Sequence, residues 1–235
     1  MTLEIQASGT PLELLANDAR QPENRIADHP AWRAALAGEL PKARLRRLLV
    51  AFYPALAGRG RYAFAAKVSQ LEPTDGKTLF LQLHAALKRP EADADAGWKR
   101  VLTALGAAER ELADALANPS AEAVDLVDVI RDHGLRASPV AASVIAYMLE
   151  RHLPRLWGRL ADGLRAHYSV REDALGYLRY EAARANDVEK WVKHLVERYV
   201  APAQPYEVFE GRRAAREALW AWTVLTESVE GGSAG

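Results

Sequence analysis

Apolar residues recur along most of the chain at the three- and four-residue spacing of helices that bury one face. In residues 41–71 they fall on one side of a helix at Leu45, Leu48, Leu49, Phe52 and Leu56. Alternating apolar and polar runs rich in β-branched residues, the pattern of a strand, are absent from the sequence. The pattern therefore predicts an all-α protein.

Capping residues and helix breakers divide this pattern into about seven to nine helices with short connections, which favours an antiparallel bundle. Asp28 is a predicted N-cap ahead of Pro30, and Gly38 is the matching stop. The longest predicted helix covers 139–168, and the last covers 206–229. We predict a flexible tail at 1–10, a single helical-bundle domain at 11–229 and a disordered tail at 230–235.

Composition narrows the class of protein further. Lys plus Arg and Asp plus Glu both number 31, so there is no basic excess of the kind that nucleic-acid binders use against phosphates. The chain has no cysteine, which excludes thiol nucleophiles and iron–sulfur clusters. No signal pattern and no apolar run of about 20 residues is present. We expect a cytoplasmic protein without nucleic-acid or membrane partners.

Three segments carry motifs that together resemble one known family. They are HPAW at 29–32 followed by AGEL at 37–40, WKRVLTALG at 98–106, and a C-terminal set made of Glu150, LP at 153–154, GLRAHY at 163–168, YL at 177–178 and DVEKW at 187–191. This combination resembles the heme-oxygenase-like superfamily, which includes TenA-type thiaminases, PqqC-type cofactorless oxidases, and di-iron oxidases and oxygenases. The resemblance covers about residues 25–228 and implies a heme-oxygenase-like antiparallel bundle with an internal site.

The sequence departs from that family at the metal ligands. Metal-using members flank the aspartate with histidines at minus four and plus three, where this chain has Ala183 and Lys190. Of the family's ligands only Glu150 and Asp187 clearly remain, so we predict a degenerate metal site, no di-iron centre and no cofactor. A single-metal site at His84, Glu150 and Asp187 is left open. The missing cysteine also removes the nucleophile of TenA-type enzymes.

The resemblance implies a site around the family's inward-facing aspartate. It implies catalytic roles for Glu150, Asp187 and Lys190, and substrate-binding roles for Arg184, Tyr177, Tyr180 and His84. We expect the Lys190 ammonium to lie inside the bundle near Glu150 or Asp187, in the place of the metal, because buried carboxylates need a compensating charge. The alternative is that these residues form an exposed ion-paired face of little energetic value.

Two functions follow from the resemblance. The first is an oxidoreductase-like enzyme that acts on a small organic molecule in an internal pocket without a complete di-iron site. The second is a catalytically inactive family member that serves as a small-molecule-binding or partner subunit. A homodimer is compatible with either. Most of the six tryptophans are expected to pack the core, because aromatic rings bury large apolar areas.

Overall fold

The structure is a computed structural model that describes residues 9–57, 71–72, 74–75, 92–136 and 138–231. Every regular element in these ranges is helical and none is a strand, so the predicted all-α class is confirmed. No helix in this part of the chain is long and apolar enough to cross a bilayer. His84, one of the predicted substrate-binding residues, lies outside the described residues.

Three helices form the N-terminal part, namely α1 (Pro11–Asp18), α2 (Pro30–Ala37) and α3 (Lys42–Leu56). Thr10, which the sequence analysis placed in the tail, caps α1 because its hydroxyl accepts from the backbone N–H of Glu13 at 3.2 Å. The predicted Asp28 cap of α2 is wrong. His29 is the N-cap instead, and its ring Nδ1 accepts from the backbone N–H of Ala31 at 3.2 Å.

The middle of the chain contributes α4 (Ala94–Ala104), α5 (Glu109–Ala117), α6 (Ala121–Arg136) and α7 (Pro139–Ile145). Helix α4 starts earlier than its apolar pattern suggested, because the Asp93 carboxylate accepts from the backbone N–H groups of Asp95 and Ala96 at 3.0 and 3.3 Å. Helix α6 is capped by Ser120, whose hydroxyl accepts from the backbone N–H of Ala123 at 3.2 Å.

The helix predicted for 139–168 is divided in the structure. After α7 the backbone makes a π-helical turn at Ala146–Glu150, and a new helix α8 begins at Leu153 and ends at Tyr168. Pro154 explains the division, because a proline has no N–H to donate to the carbonyl four residues earlier and its ring clashes with that carbonyl. The carbonyl concerned belongs to Glu150, so this residue ends the π turn.

The C-terminal part contains α9 (Gly176–Ala183), α10 (Ala185–Leu195), a second π turn (Val196–Val200) and α11 (Pro205–Gly231). Arg184 separates α9 from α10, with φ −90° and ψ 0° outside the α-helical minimum. Helix α11 has 27 residues and extends two residues past its predicted end.

An aromatic cluster lies at the centre of one half of the bundle and joins α2, α3, α8 and α11. The Phe52 and Trp222 rings are 4.8 Å apart, and the Trp32 ring lies 5.5 to 6.4 Å from its three neighbours Phe52, Trp157 and Trp222. The Trp32 indole donates to the buried hydroxyl of Thr226 at 3.2 Å. The expected core role of the tryptophans is thus met by Trp32, Trp98, Trp157 and Trp222, whereas Trp220 is 66% exposed.

Two glycines give a matched test of how closely α2 and α8 pack. A Cβ at Gly163 in α8 would lie 2.9 Å from the backbone oxygen of Leu36, whereas a Cβ at Gly176 in α9 would meet nothing within 4 Å. We expect Gly163→Ala to lower the free energy of unfolding by about 1–3 kcal/mol, because backbone atoms cannot move aside without repacking α2.

Gly176→Ala is the control, and it should be neutral or stabilise by at most about 1 kcal/mol. Urea unfolding followed by circular dichroism measures both. A Gly163→Ala protein as stable as the parent would show that α2 does not approach α8 this closely.

Candidate functional site

Glu181 is a largely buried carboxylate near the end of α9. Its side chain is 19% exposed and accepts from Nη1 of Arg184 at 2.9 Å, one helical turn further along the chain. The Arg184 guanidinium in turn lies over the Tyr180 ring at 5.4 Å from its centroid. We refer to Glu181, Arg184, Tyr180 and the neighbouring Glu150 as the Glu181 cluster.

Burial and the Glu150 carboxylate raise the pKa of Glu181, whereas Arg184 lowers it. Burial is the largest effect and raises the pKa above the ordinary value of 4.5, because the protein interior disfavours the charged form. Arg184 opposes this by its charge and its hydrogen bond, and the nearby Glu150 carboxylate adds to the increase by repulsion. The net result is a raised pKa, a property typical of carboxyl groups that donate and accept protons in enzymes.

Arg184 lies at the junction of α9 and α10, where its backbone has φ −90° and ψ 0°. It is three residues from Glu181 and four from Tyr180, so all three side chains lie on one side of the helix. The guanidinium is held between the Glu181 carboxylate and the Tyr180 ring, so its charge is fixed at the cluster. Cations held over an aromatic face are favoured electrostatically by the ring.

Glu150 reaches the cluster from the first π turn. This turn also carries Tyr147, which is 1% exposed and accepts a hydrogen bond at its hydroxyl from Arg151. The Arg151 guanidinium lies 4.9 Å from the centroid of the Tyr147 ring. π turns within helices are rare and are frequently found at functional sites, and here the turn sets the position of a carboxylate predicted from sequence.

The expected interior position of Lys190 is wrong. Val188, Val192 and Leu195 are the buried residues of α10, and Asp187 and Lys190 are exposed on its outer side. Residues two apart are about 200° apart around a helix, so the burial of Val188 forces Lys190 outward. The cation that pairs with the buried carboxylate is Arg184, and the predicted catalytic residues Asp187 and Lys190 lie on the exposed side of α10.

The predicted substrate-binding residues also separate into groups. Tyr180 and Arg184 contact each other in the cluster. Tyr177 packs against the Trp98 ring at a centroid distance of 6.2 Å. It also covers Gly97, since a Cβ added at Gly97 would lie 2.2 Å from the Cβ of Tyr177. His84 is outside the described residues.

Glu181 is the residue that the sequence analysis missed. Its signal was the three-residue spacing to Arg184, which puts an acid and a base on one helical face. The same spacing occurs at several surface pairs of this chain, including Arg25 with Asp28 and Glu210 with Arg213. Only burial distinguishes Glu181 from these exposed pairs, and a helical pattern alone does not reveal how deeply a carboxylate lies.

The residues present do not fit a di-iron centre of the family type. Position 183 is an exposed alanine without a ligand atom, and Asp187 is exposed on the outer side of α10. No group of three His, Cys, Asp or Glu residues in the described part of the chain could hold a metal ion. We therefore assign no step to a metal.

Comparison with known proteins identifies the fold. No family model matches the sequence, and no curated protein matches it. A TenA homologue from Pseudomonas syringae pv. tomato superimposes with a TM-score of 0.74 at 14% identity, over 97% of this chain and 96% of that one. The predicted resemblance to the heme-oxygenase-like superfamily is confirmed for the fold.

Two further structures support this result. A TenA homologue from P. horikoshii has a TM-score of 0.63 at 14% identity, covering 96% of this chain and all of that one. A TenA family transcription regulator from Silicibacter sp. has a TM-score of 0.63 at 16% identity, covering 93% and 97%. Likeness at this identity extends to the fold and not to an activity.

The pKa of Glu181 is raised and that of Glu189 is lowered, so substituting these two residues should change the pH dependence of stability in opposite directions. The raised pKa of Glu181 means that the unfolded chain releases this proton first as the pH rises above 4.5, so the folded state loses stability. Glu181→Gln removes that loss. The stability of the variant relative to the parent should rise as the pH increases from 4.5 towards neutrality, in thermal melts at several pH values.

Glu189→Gln is the matched control. Hydrogen bonds from Arg155 and Lys193 lower the pKa of Glu189 to about 2. The parent should therefore be more stable than this variant above pH 4.5, and its advantage should disappear as the pH falls from 4.5 towards 2. A stability difference between Glu181→Gln and parent that does not change with pH would refute the raised pKa.

The absence of two of the family's histidine ligands leads to a further prediction. We expect the purified protein to bind no stoichiometric di-iron centre, because Ala183 and Lys190 occupy the two histidine positions and neither supplies a neutral imidazole. Elemental analysis and Mössbauer spectroscopy after anaerobic addition of Fe(II) measure this. Close to two irons per chain with a di-iron signal would contradict it.

Proposed function

We propose that this protein is an enzyme that moves a proton on a small organic molecule, with Glu181 as the acid–base group. The observation that carries the proposal is a buried carboxyl with a raised pKa beside a second carboxylate and a fixed guanidinium. An exposed carboxyl is ionised at neutral pH and is a weak base. A carboxyl with a raised pKa is better matched to proton transfer near neutrality.

Arg184 supplies the binding function in this proposal. Its guanidinium is only partly engaged by Glu181 and is 24% exposed, so a planar anionic group of a substrate can pair with the remaining N–H groups. A substrate carboxylate bound there would share the charge that now lowers the pKa of Glu181. Binding would therefore raise this pKa further and couple substrate recognition to the basicity of Glu181.

The oxidoreductase activity implied by the resemblance is a more specific form of the same proposal. Ionised Glu181 would take a proton from a substrate carbon, and the electron pair left on that carbon would be available to an oxidant. With dioxygen as the oxidant, two electrons and two protons leave the substrate and hydrogen peroxide is formed. The PqqC-type oxidases of this fold class, which use no cofactor, provide a precedent for such chemistry without a metal.

The test uses three proteins and a mixture of small metabolites. Parent, Glu181→Gln and Glu189→Gln are incubated with a desalted cell extract in D₂O, and mass spectrometry follows consumption or deuterium uptake of each compound. We expect compounds altered by the parent and by Glu189→Gln, and altered at least about 100-fold more slowly by Glu181→Gln, because loss of an acid–base group costs that much.

An oxygen electrode run in parallel separates the two forms of the proposal. Oxygen uptake with peroxide formation that depends on Glu181 supports an oxidase, and deuterium uptake without oxygen consumption supports an isomerase or lyase. Equal turnover by parent and Glu181→Gln, or no change caused by the parent in any compound, would refute the proposed function.

The second candidate is a ligand-binding or partner subunit without catalysis. It is favoured over an enzyme with a central pocket because the Trp32 ring packs against Phe52, Trp157 and Trp222 in the bundle centre. One protein of similar fold is named a transcription regulator. A small molecule retained by the parent in native mass spectrometry, without any turnover, would favour this candidate.

A further inference from the structure

A surface groove of about 850 Å³ lies between α6 and α11, and we call it the acidic groove. Its lining includes an apolar set of small side chains, namely Val129, Ala141, Ala214, Ala221 and Val224. No residue of the Glu181 cluster lines it, so the groove is separate from the proposed catalytic site. Its size falls within the range of sites that bind specific ligands.

Two aromatic side chains mark the length of the acidic groove. Tyr206 and Trp220 both line it and are 68% and 66% exposed. They are separated by 14 residues in α11, which corresponds to about 21 Å along the helix and to nearly the same side of it. Exposed tryptophan is costly in water, and Trp and Tyr are the residues most enriched at binding hot spots. The groove therefore suits a ligand at least as long as four helical turns.

Carboxylates line both sides of the acidic groove. Helix α6 contributes Glu122, Asp125, Asp128 and Asp132, and α11 contributes Glu207, Glu210 and Glu217. Arg213 is the one cation among these lining residues, and its guanidinium is already paired with Glu210 at 2.6 Å and Glu217 at 3.7 Å. Arg131, next to the α6 row, pairs with Asp128 at 3.0 Å and with Asp132 at 3.4 Å. The groove is strongly negative although the chain as a whole has no net charge.

We propose that the acidic groove binds a basic amphipathic helix of a partner protein. The apolar lining would receive the apolar stripe of that helix, and Lys or Arg residues on either side of the stripe would meet the carboxylates of α6 and α11. This is the helix-in-groove mode of recognition, which reads residues spaced by three and four. Charge complementarity of this kind speeds association and selects the partner.

A second copy of this chain and a small organic cation would both fit the groove less well than a basic helix. A second copy bound by two-fold symmetry would place this negative surface against itself, because such an interface uses the same patch twice. A small organic cation would fill only part of the distance of about 21 Å between the two aromatic rings. A helix of about 14 residues spans this distance and meets both carboxylate rows.

The experiment uses a synthetic probe, because the partner is unidentified. The probe is a fluorescein-labelled peptide of about 18 residues, with leucine at helical spacing and lysine elsewhere, which is about 27 Å long as a helix. One control peptide has the same composition in scrambled order, and another has glutamate in place of lysine. Fluorescence anisotropy at 50 and 300 mM salt gives the dissociation constants for the full chain.

Two substitutions in the groove are compared with two outside it. Trp220→Ala should weaken binding of the basic peptide about tenfold or more, since the ring is a hot-spot residue at the end of the groove. Asp125→Asn should weaken it about threefold, and less at 300 mM salt. Leu116→Ala, an exposed apolar residue of α5, and Glu39→Gln, an exposed acid after α2, should leave binding unchanged.

Each remaining outcome contradicts the proposal. Absence of binding at 50 mM salt, equal affinity of the scrambled peptide, or an unchanged affinity in Trp220→Ala would overturn it. Sedimentation equilibrium that shows a parent dimer dissociated by Trp220→Ala would assign the groove to a second copy. Binding of spermine that depends on Trp220, without binding of the peptide, would assign it to a small cation. Thermal melts of the exposed variants check that the fold is intact.

Discussion

The contact among Trp32, Phe52, Trp157 and Trp222 is the interaction on which the rest of the bundle depends. Trp32 lies in α2, and its indole donates a hydrogen bond to Thr226 in α11, 194 positions further along the chain. Each ring buries a large apolar area, and such contacts offset the entropy lost when distant parts of a chain are brought together. Helices α8 and α9 pack on this centre and carry the Glu181 cluster with them.

A consequence of this packing is that one carboxylate is held where water only partly reaches it. Glu181 tolerates burial because Arg184 lies one turn away, where its guanidinium is held against the Glu181 carboxylate and the Tyr180 ring. The Arg184 guanidinium offsets part of the cost of burying Glu181, and the pKa of this carboxyl remains above its ordinary value.

The distribution of charge adds a second functional surface that total composition hides. Equal numbers of acidic and basic residues give no net charge, yet the acids of α6 and α11 lie on facing sides of one groove while the basic residues lie mostly elsewhere. A helical pattern assigns each acid to the polar side of its own helix. Whether two polar sides face one another depends on how α6 and α11 pack, and this packing also leaves Trp220 in solvent.

The sequence by itself determined the helical class and several helix ends, because periodic apolar positions and capping residues act locally. It also indicated that most of the tryptophans pack the core, and its resemblance to a known family indicated the fold. It also brought Tyr180 and Arg184 together, since four residues make one turn. Only the tertiary structure decided that Val188 and not Asp187 faces inward on α10, that Lys190 is exposed, and that Glu181 is buried beside Glu150. These facts depend on rotations of α9 and α10 about their axes and on the π turn at Glu150. Those rotations are set by contacts with distant helices, which no local pattern encodes.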